Sequence, residues 1–288
     1  MSKQLTKTYS GNVQALRGID LEIGNGMFGL VGPNGAGKTT LMRILAGLVR
    51  PTRGNVLVLG NDVTTLKGKL AIKSNLGYLP QEFGLYPDLT TIEFMDYIAI
   101  LKGITDRKIR HAQVLECLEL VHLHDSMDRR LKTFSGGMKQ RVGIGQALLG
   151  QPSLLIVDEP TAGLDPEERV YLRNLLADLA GSRTVILSTH IVEDVNQSCN
   201  DLAVIHKGKV IFRGMPKELT EKARGNVWNI KTDGKRPDSG LTIVATLQID
   251  EGIQYRVLGK PSSSLNTQSV EPILEDGYIW LMQTQNIQ

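Results

Sequence analysis

Between the apolar runs MFGLV (27–31) and LMRILAGLV (41–49) stand three glycines, Gly32, Gly35 and Gly37, followed by Lys38. A glycine inside an element costs about 0.5–1 kcal/mol against alanine, so bare backbone at the mouth of a helix needs a reason. One reason is chemical. Successive N–H groups of a glycine-rich turn can curl around phosphate oxygens, and a helix N-terminus behind them adds partial positive charge.

The stretch Gly32-Pro33-Asn34-Gly35-Ala36-Gly37-Lys38-Thr39 fits G-x-x-x-x-G-K-[ST], the P-loop or Walker A pattern, and it lies between a strand and a helix. The pattern predicts that residues 32–37 cradle phosphates, that Lys38 reaches the β- and γ-phosphates, and that Thr39 holds Mg²⁺, with Thr40 in the same turn.

Other short, continuously apolar runs, LLIVD (154–158) and TVILS (184–188), have the pattern of buried parallel strands. Apolar runs alternate with helical patterns through most of the chain, which predicts an α/β fold with a mostly parallel sheet and helices on its faces. Asp165-Pro166 opens a helix as N-cap and first helical residue, and this helix ends near Gly181. Residues 91 to 131 hold no strand candidate, and a helical subdomain is expected at about 88–150. After Gly225 the texture changes. Residues 225–288 hold five basic and seven acidic side chains in a chain of net charge +3. There VWNIK, TIVATLQI and IQYRVLG read as strands, PSSSLN as a loop and ILEDGYIWLM as a closing helix. The expected division is 1–224, a P-loop core with its inserted helical subdomain, and 225–288, a small α+β C-terminal domain.

A net charge of +3 is too small to argue for nucleic acid. Cys117 and Cys199 form no C-x-x-C, so a reducing compartment fits and a disulfide framework does not. His122 and His124 lack a nearby cysteine or carboxylate cluster and read as a solvated helix end. No run approaches the roughly 18 apolar residues of a membrane span, and MSKQLTKTYS has no apolar core of a signal peptide.

Leu154-Leu-Ile-Val-Asp158-Glu159 matches a Walker B strand. Its carboxyl end is where open α/β sheets bind ligands, so Asp158 is expected to act on Mg²⁺ and Glu159 to polarise an attacking water. His190 ends the next apolar run, TVILSTH, on the same edge, and is expected at the γ-phosphate. Ser135-Gly136-Gly137 precede a helical pattern as an N-cap and an anion-ready terminus.

Walker A at 32–39, Gln81 in YLPQE, FSGGM at 134–138, LLIVDEP at 154–160, GLDP at 163–166 and His190 occur in the order of an ABC transporter nucleotide-binding domain. The resemblance covers residues 5 to about 224. It implies an ATPase using ATP and Mg²⁺, with Ser135, Gly136 and Gly137 of one copy closing on the γ-phosphate at the P-loop of another. Two ATPs are then sandwiched in a head-to-tail dimer, with itself or a paralogous subunit. By position, Gln81 resembles the Q-loop glutamine near Mg²⁺ and water, Asp165 the D-loop aspartate, and Tyr9 the aromatic that stacks on adenine. FSGGM departs from the common LSGGQ, so Met138 cannot supply the glutamine's hydrogen bonds. The chain also leaves little length for a first strand before Tyr9.

LPQEFGLYPDLT, DEPTAGLDPEERV, STHIVEDV and the ending EPILEDGYIW look like the ATPase subunits of bacterial export systems with separate permeases. The resemblance implies a cytoplasmic subunit, peripheral on the inner face of the membrane and without nucleic acid. Phe83, Leu85 and Tyr86, beside Gly84 and Pro87, have two readings: packing under the helical subdomain, or lining a groove for a short helix of the permease. Import-type ATPase subunits, and soluble ABC ATPases acting on ribosomes or DNA, are the alternative classes.

Overall fold

The computed structural model describes residues 1–237, 240–250, 252–262 and 267–286. The chain forms two compact units, Met1–Arg213 and a second beginning at Gly214.

The first unit is built on a six-stranded sheet in the order β10-β9-β3-β8-β7-β6. Its strands are β3 (Met27–Val31), β6 (Leu76–Leu79), β7 (Leu154–Asp158), β8 (Thr184–Thr189), β9 (Asp201–His206) and β10 (Lys209–Gly214). Every residue of β3 and β7 is buried, as expected for continuously apolar strands covered on both faces. From β6 to β9 the pairing is parallel, and its register fixes the functional edge. Val31 pairs with Thr189, Asp158 with Ser188, and Leu79 with Val157. Gly32, Glu159, His190 and Gln81 therefore all follow strand ends on one edge.

A second sheet, β2-β1-β4-β5, joins β1 (Ser2–Thr8), β2 (Gln14–Leu21), β4 (Arg53–Val58) and β5 (Asn61–Asp62) in antiparallel pairs. The residues before Tyr9 suffice for a full strand, contrary to expectation. Helix α1 (Lys38–Leu45) packs its fully buried Leu41, Met42 and Ile44 with Leu5, Leu16 and Ile19 of this sheet and Ile156 and Ile186 of the central one. Helix α2 (Leu66–Ser74) leads into β6.

Between β6 and β7 lie α3 (Thr91–Leu101), α4 (Arg107–Leu120) and α5 (Gly136–Leu148). Thr90 and Glu93 form a reciprocal capping box on α3, and Asp106 caps α4. Phe94, Met95, Val114, Leu118 and Ile144 supply buried faces to these helices. After β7 come α6 (Pro166–Ala180), with Asp165 as its cap, and the short α7 (Val192–Asn196) following β8.

The second unit has α8 (Pro216–Glu221), the antiparallel sheet β12-β13-β11-β14, and α9 (Leu274–Asn286). Its strands are β11 (Val227–Thr232), β12 (Thr242–Ile249), β13 (Gly252–Leu258) and β14 (Thr267–Ser269). The division falls before residue 224 because α8 packs on α9. Most of the loop PSSSLN lies outside the described residues. Asp276, fully buried in the first turn of α9, accepts from both Nε and Nη2 of Arg256 on β13, at 3.1 and 2.6 Å, and from the Ile273 amide at 2.7 Å.

Trp228 and Trp280 are the two tryptophans and both belong to the second unit, so their fluorescence reports its unfolding. Arg256→Ala leaves the Asp276 carboxylate buried without its cation and is expected to destabilise this unit by about 3–5 kcal/mol in denaturant titration. A change below about 1 kcal/mol would show that the pair is dispensable. The first unit has its own reporters. Cys117 and Cys199 are free and buried, and burial pushes both thiols up to about 12. Ellman's reagent at neutral pH should therefore label neither in the native protein and both after unfolding.

Candidate active site

The P-loop turns directly from β3 into α1, and two of its glycines are demanded by the chain's own packing. At Gly32 a Cβ would stand 2.2 Å from the carbonyl oxygen of Ile205 on β9. At Gly37 the φ is +112°, and a Cβ would meet the Ala15 carbonyl oxygen at 2.7 Å. The loop is tied down from behind. Gly208, between β9 and β10, donates its amide to Ala36 O at 2.9 Å and accepts from Arg17 N at 2.8 Å. Gly208 was not legible as a site residue, because its partners are brought to it only by the sheet.

Lys38 is buried and aims its ammonium back across the loop. It donates to Gly32 O at 2.7 Å and Pro33 O at 3.4 Å, and its Nζ lies 3.3 Å from Glu159 Oε1. The other carboxylate oxygen of Glu159 is 2.9 Å from His190 Nδ1. Lys38, Glu159 and His190 thus form one chain of charged and polar contacts across the ends of β3, β7 and β8. Asn34 and Gly35 are exposed at the loop's tip, and Thr39 and Thr40 are half-buried on the first turn of α1.

Glu159 occupies the left-handed region at φ 50°. Its amide donates to Ser188 O at 2.9 Å, and the turn after it is fastened where Thr161 Oγ1 donates to Asp194 Oδ2 at 2.6 Å. Both members of that contact are buried, and Asp194 on α7 carries no sequence signal of this role. Asp158 is fully buried, and neither of its carboxylate oxygens has a hydrogen-bond partner. Burial, and then the Asp158 charge, push the Tyr78 phenol above its ordinary value. A carboxyl group with two unpartnered oxygens at a strand end suits a hard divalent cation with bound water, so Asp158 fits Mg²⁺.

The remaining predicted residues surround this centre without joining it. Tyr9 is partly exposed. Its hydroxyl is 3.5 Å from Thr40 Oγ1, and Lys7 Nζ lies 4.9 Å from the ring centroid. Gln81 lines a groove of about 510 Å³ with Leu85, Pro87, Leu131, Gln140 and Gly163. Phe83 turns inward from this segment, its ring tip 2.6 Å from where a Cβ at Gly143 would stand. It lines the groove with Leu85, as one of the two readings expects, and also fastens the segment to α5, whereas Tyr86 is not part of the lining and packs against Phe94 and Tyr97. Ser135 caps α5, accepting from Met138 N at 3.2 Å, and Asp165 caps α6, accepting from Glu168 N at 2.9 Å. Ser135 and Gly136 are exposed.

A lysine and an acidic strand end gathered around a glycine loop at the carboxyl edge of a parallel sheet make this unit a P-loop ATPase. Comparison with known proteins narrows the class. Residues 16–162 match the family described as ABC transporter. The uncharacterized ABC transporter ATP-binding protein YxlF of Bacillus subtilis (strain 168) is 35% identical over 234 residues, covering 81% of this chain and 76% of its own. Nod factor export ATP-binding protein I of Cupriavidus metallidurans is 36% identical, over 77% of this chain and 73% of its own length. A solved dimeric structure, the post-hydrolysis state of the ATP-binding cassette MJ0796 bound to ADP and Pi, matches with a TM-score of 0.67 at 28% identity. It is covered to 97% and covers 74% of this chain. The chain belongs to the ABC transporter family as one of its ATP-binding, ATP-hydrolysing subunits. Among the described residues no helix is long and apolar enough to cross a membrane.

The packing at Gly32 has a direct consequence. In Gly32→Ala the new methyl meets backbone on β9, which cannot rotate away, so a loss of about 1–3 kcal/mol in the first unit is expected. Denaturant-dependent exposure of Cys117 and Cys199 measures it. Unchanged stability with lost nucleotide binding would assign Gly32 to the ligand alone.

Proposed function

We propose that this chain is the ATPase subunit of an exporter whose permease is a separate polypeptide, and that two copies share two composite ATP sites. The observation that carries the reading is the contact chain from buried Lys38 through buried Glu159 to the exposed His190 at the mouth of the P-loop. The export direction rests on similarity to relatives such as the Nod factor export ATP-binding protein. The dimer rests on similarity to the dimeric cassette. Its place is the cytoplasmic face of a membrane, held by the permease.

The roles follow from donors and acceptors. Lys38 has three N–H donors, now directed at Gly32 O, Pro33 O and Glu159, and the phosphates of ATP compete for them. As the ammonium moves to the phosphates, Oε1 of Glu159 is released to accept a hydrogen bond from a water beside the γ-phosphate. His190 holds the second oxygen of Glu159 and so fixes the direction in which that base points. Residues 32–37 offer backbone donors, Thr40 sits behind them, and Tyr9 offers a ring face to adenine. Mg²⁺ held by Thr39 and Asp158, with Gln81 nearby, would neutralise charge on the β- and γ-phosphates. Ser135, Gly136, Gly137 and Asp165 belong to the edge that meets the other copy. The groove beside Gln81, lined by Phe83, Leu85 and Pro87, is the proposed seat of the permease.

Two substitutions separate binding from chemistry. Lys38→Ala is expected to weaken ATP binding about tenfold or more, because a desolvated charge pair loses its cation. Glu159→Gln keeps the shape but loses the base. It should bind ATP, turn over about 10²–10⁴-fold more slowly, and accumulate a dimer in light scattering with Mg-ATP. A Glu159→Gln protein that stays monomeric while hydrolysing at the native rate would refute the assignment.

A further inference from the structure

The N-terminal turns of α5 and α6 are joined by a two-pronged ion pair. Arg141, on the second turn of α5, donates from Nε to Glu168 Oε2 at 3.1 Å, and from Nη2 to Oε1 at 2.7 Å and Oε2 at 2.9 Å. The side chains are 19% and 22% exposed. The guanidinium also lies over the ring of Tyr171, one turn further along α6, at 3.9 Å from its centroid. Carboxylate on its edge and aromatic ring on its face leave the arginine little freedom.

Gly137 rests on the same carboxylate. A Cβ at Gly137 would stand 2.6 Å from Glu168 Cδ and 2.7 Å from Cγ, so the backbone of α5 presses on the glutamate's stem as well as its tip. Gly136 differs, with no atom within 4 Å of where its Cβ would be. On the other side, the Glu168 amide donates to Asp165 Oδ1 at 2.9 Å. One residue therefore touches both the glycine turn after Ser135 and the cap of α6.

We infer that Glu168, held by Arg141, is a positioning residue that fixes the spacing between Ser135 and Asp165, so that a second copy of this chain meets them as one rigid edge. The inference rests on the shared-site reading above. Exposed ion pairs contribute about 0–1 kcal/mol to a fold, and this bidentate pair, about a fifth exposed, stands above that range. Its geometric content goes further. A planar fork sets both the distance and the mutual rotation of the two helix starts.

The test is run in full-length Glu159→Gln protein with Mg-ATP, measuring the dimer dissociation constant by sedimentation and monomer ATP affinity by fluorescent-nucleotide displacement. Glu168→Ala and Arg141→Ala should each weaken the dimer about tenfold or more, and the double variant no further, because both remove one fork. Monomer ATP affinity should stay within about twofold of the parent, since Lys38 and the P-loop are untouched. Arg141→Lys keeps the charge without the fork and should weaken the dimer in the same direction. It decides the matter should the alanine variants fail to fold. A parental dimer constant in the single variants overturns the inference. So do additive losses, or ATP affinity falling in step with the dimer. If the Glu159→Gln parent itself remains monomeric with Mg-ATP, the shared-site reading fails and this inference falls with it. A parent that dimerises beside unaffected variants sinks the inference alone.

Discussion

The parallel register of β3, β8 and β7 is the constraint from which the candidate site follows. Pairing Val31 with Thr189 and Asp158 with Ser188 places Gly32, Glu159 and His190 at neighbouring positions along one edge. A slip of one residue in β7 would exchange the faces of Asp158 and Val157 and carry Glu159 away from Lys38. Such a slip is opposed by burial on both faces, where every side chain of β3 and β7 is enclosed. Apolar packing far from the ligand thus decides which polar groups meet.

Those polar groups are costly to bring together. Lys38 and Glu159 are 4% and 8% exposed, and a buried ion pair recovers its desolvation only when further hydrogen bonds complete it. Two loop carbonyls complete the lysine, and His190 completes the glutamate. Glu159 adds backbone strain, since a residue other than glycine in the left-handed region costs about 1–3 kcal/mol. Its turn persists because the Ser188 carbonyl takes its amide and the buried Thr161–Asp194 contact holds the chain two residues on. Strain concentrated at the residue proposed as base, and over-determined by its surroundings, is what a preorganised site requires.

The sequence was most legible where local chemistry and long-range structure agree. MFGLV, LLIVD and TVILS announced buried strands by unbroken apolar runs, and each became one. Asp165-Pro166 announced the start of α6 by its cap and fixed φ, and Lys38, Asp158, Glu159 and His190 could be placed because each follows or ends such a run. Features that depend on pairing were not legible. Nothing local in Ser2–Thr8 or Arg53–Val58 states that they are neighbours in a second sheet. Gly208 and Asp194 act through partners that lie far away in sequence. Phe83 could be read both ways, and it does both, lining the groove while its ring packs on α5. The bare backbone of Gly143 on α5 opens the slot that its ring fills.

The glycines sort by what requires them, and the sorting bears on the need for a second copy. Gly32 and Gly37 are explained within the chain, by the Ile205 and Ala15 carbonyls that leave no room for a side chain. Gly35 is explained by its backbone, at φ +78°. Gly136 has neither explanation. Its φ is not in the left-handed region and the space beside it is open, so an alanine there would meet nothing in its own chain and would favour the helix it begins. A first-turn glycine with no internal cause, exposed beside a serine hydroxyl and the amides of a helix N-terminus, is explained if something outside the chain approaches its backbone closely. The phosphate of an ATP held by another copy has the charge and the oxygen acceptors for that approach, and this supports the shared site from a side that Lys38 and Glu159 do not touch.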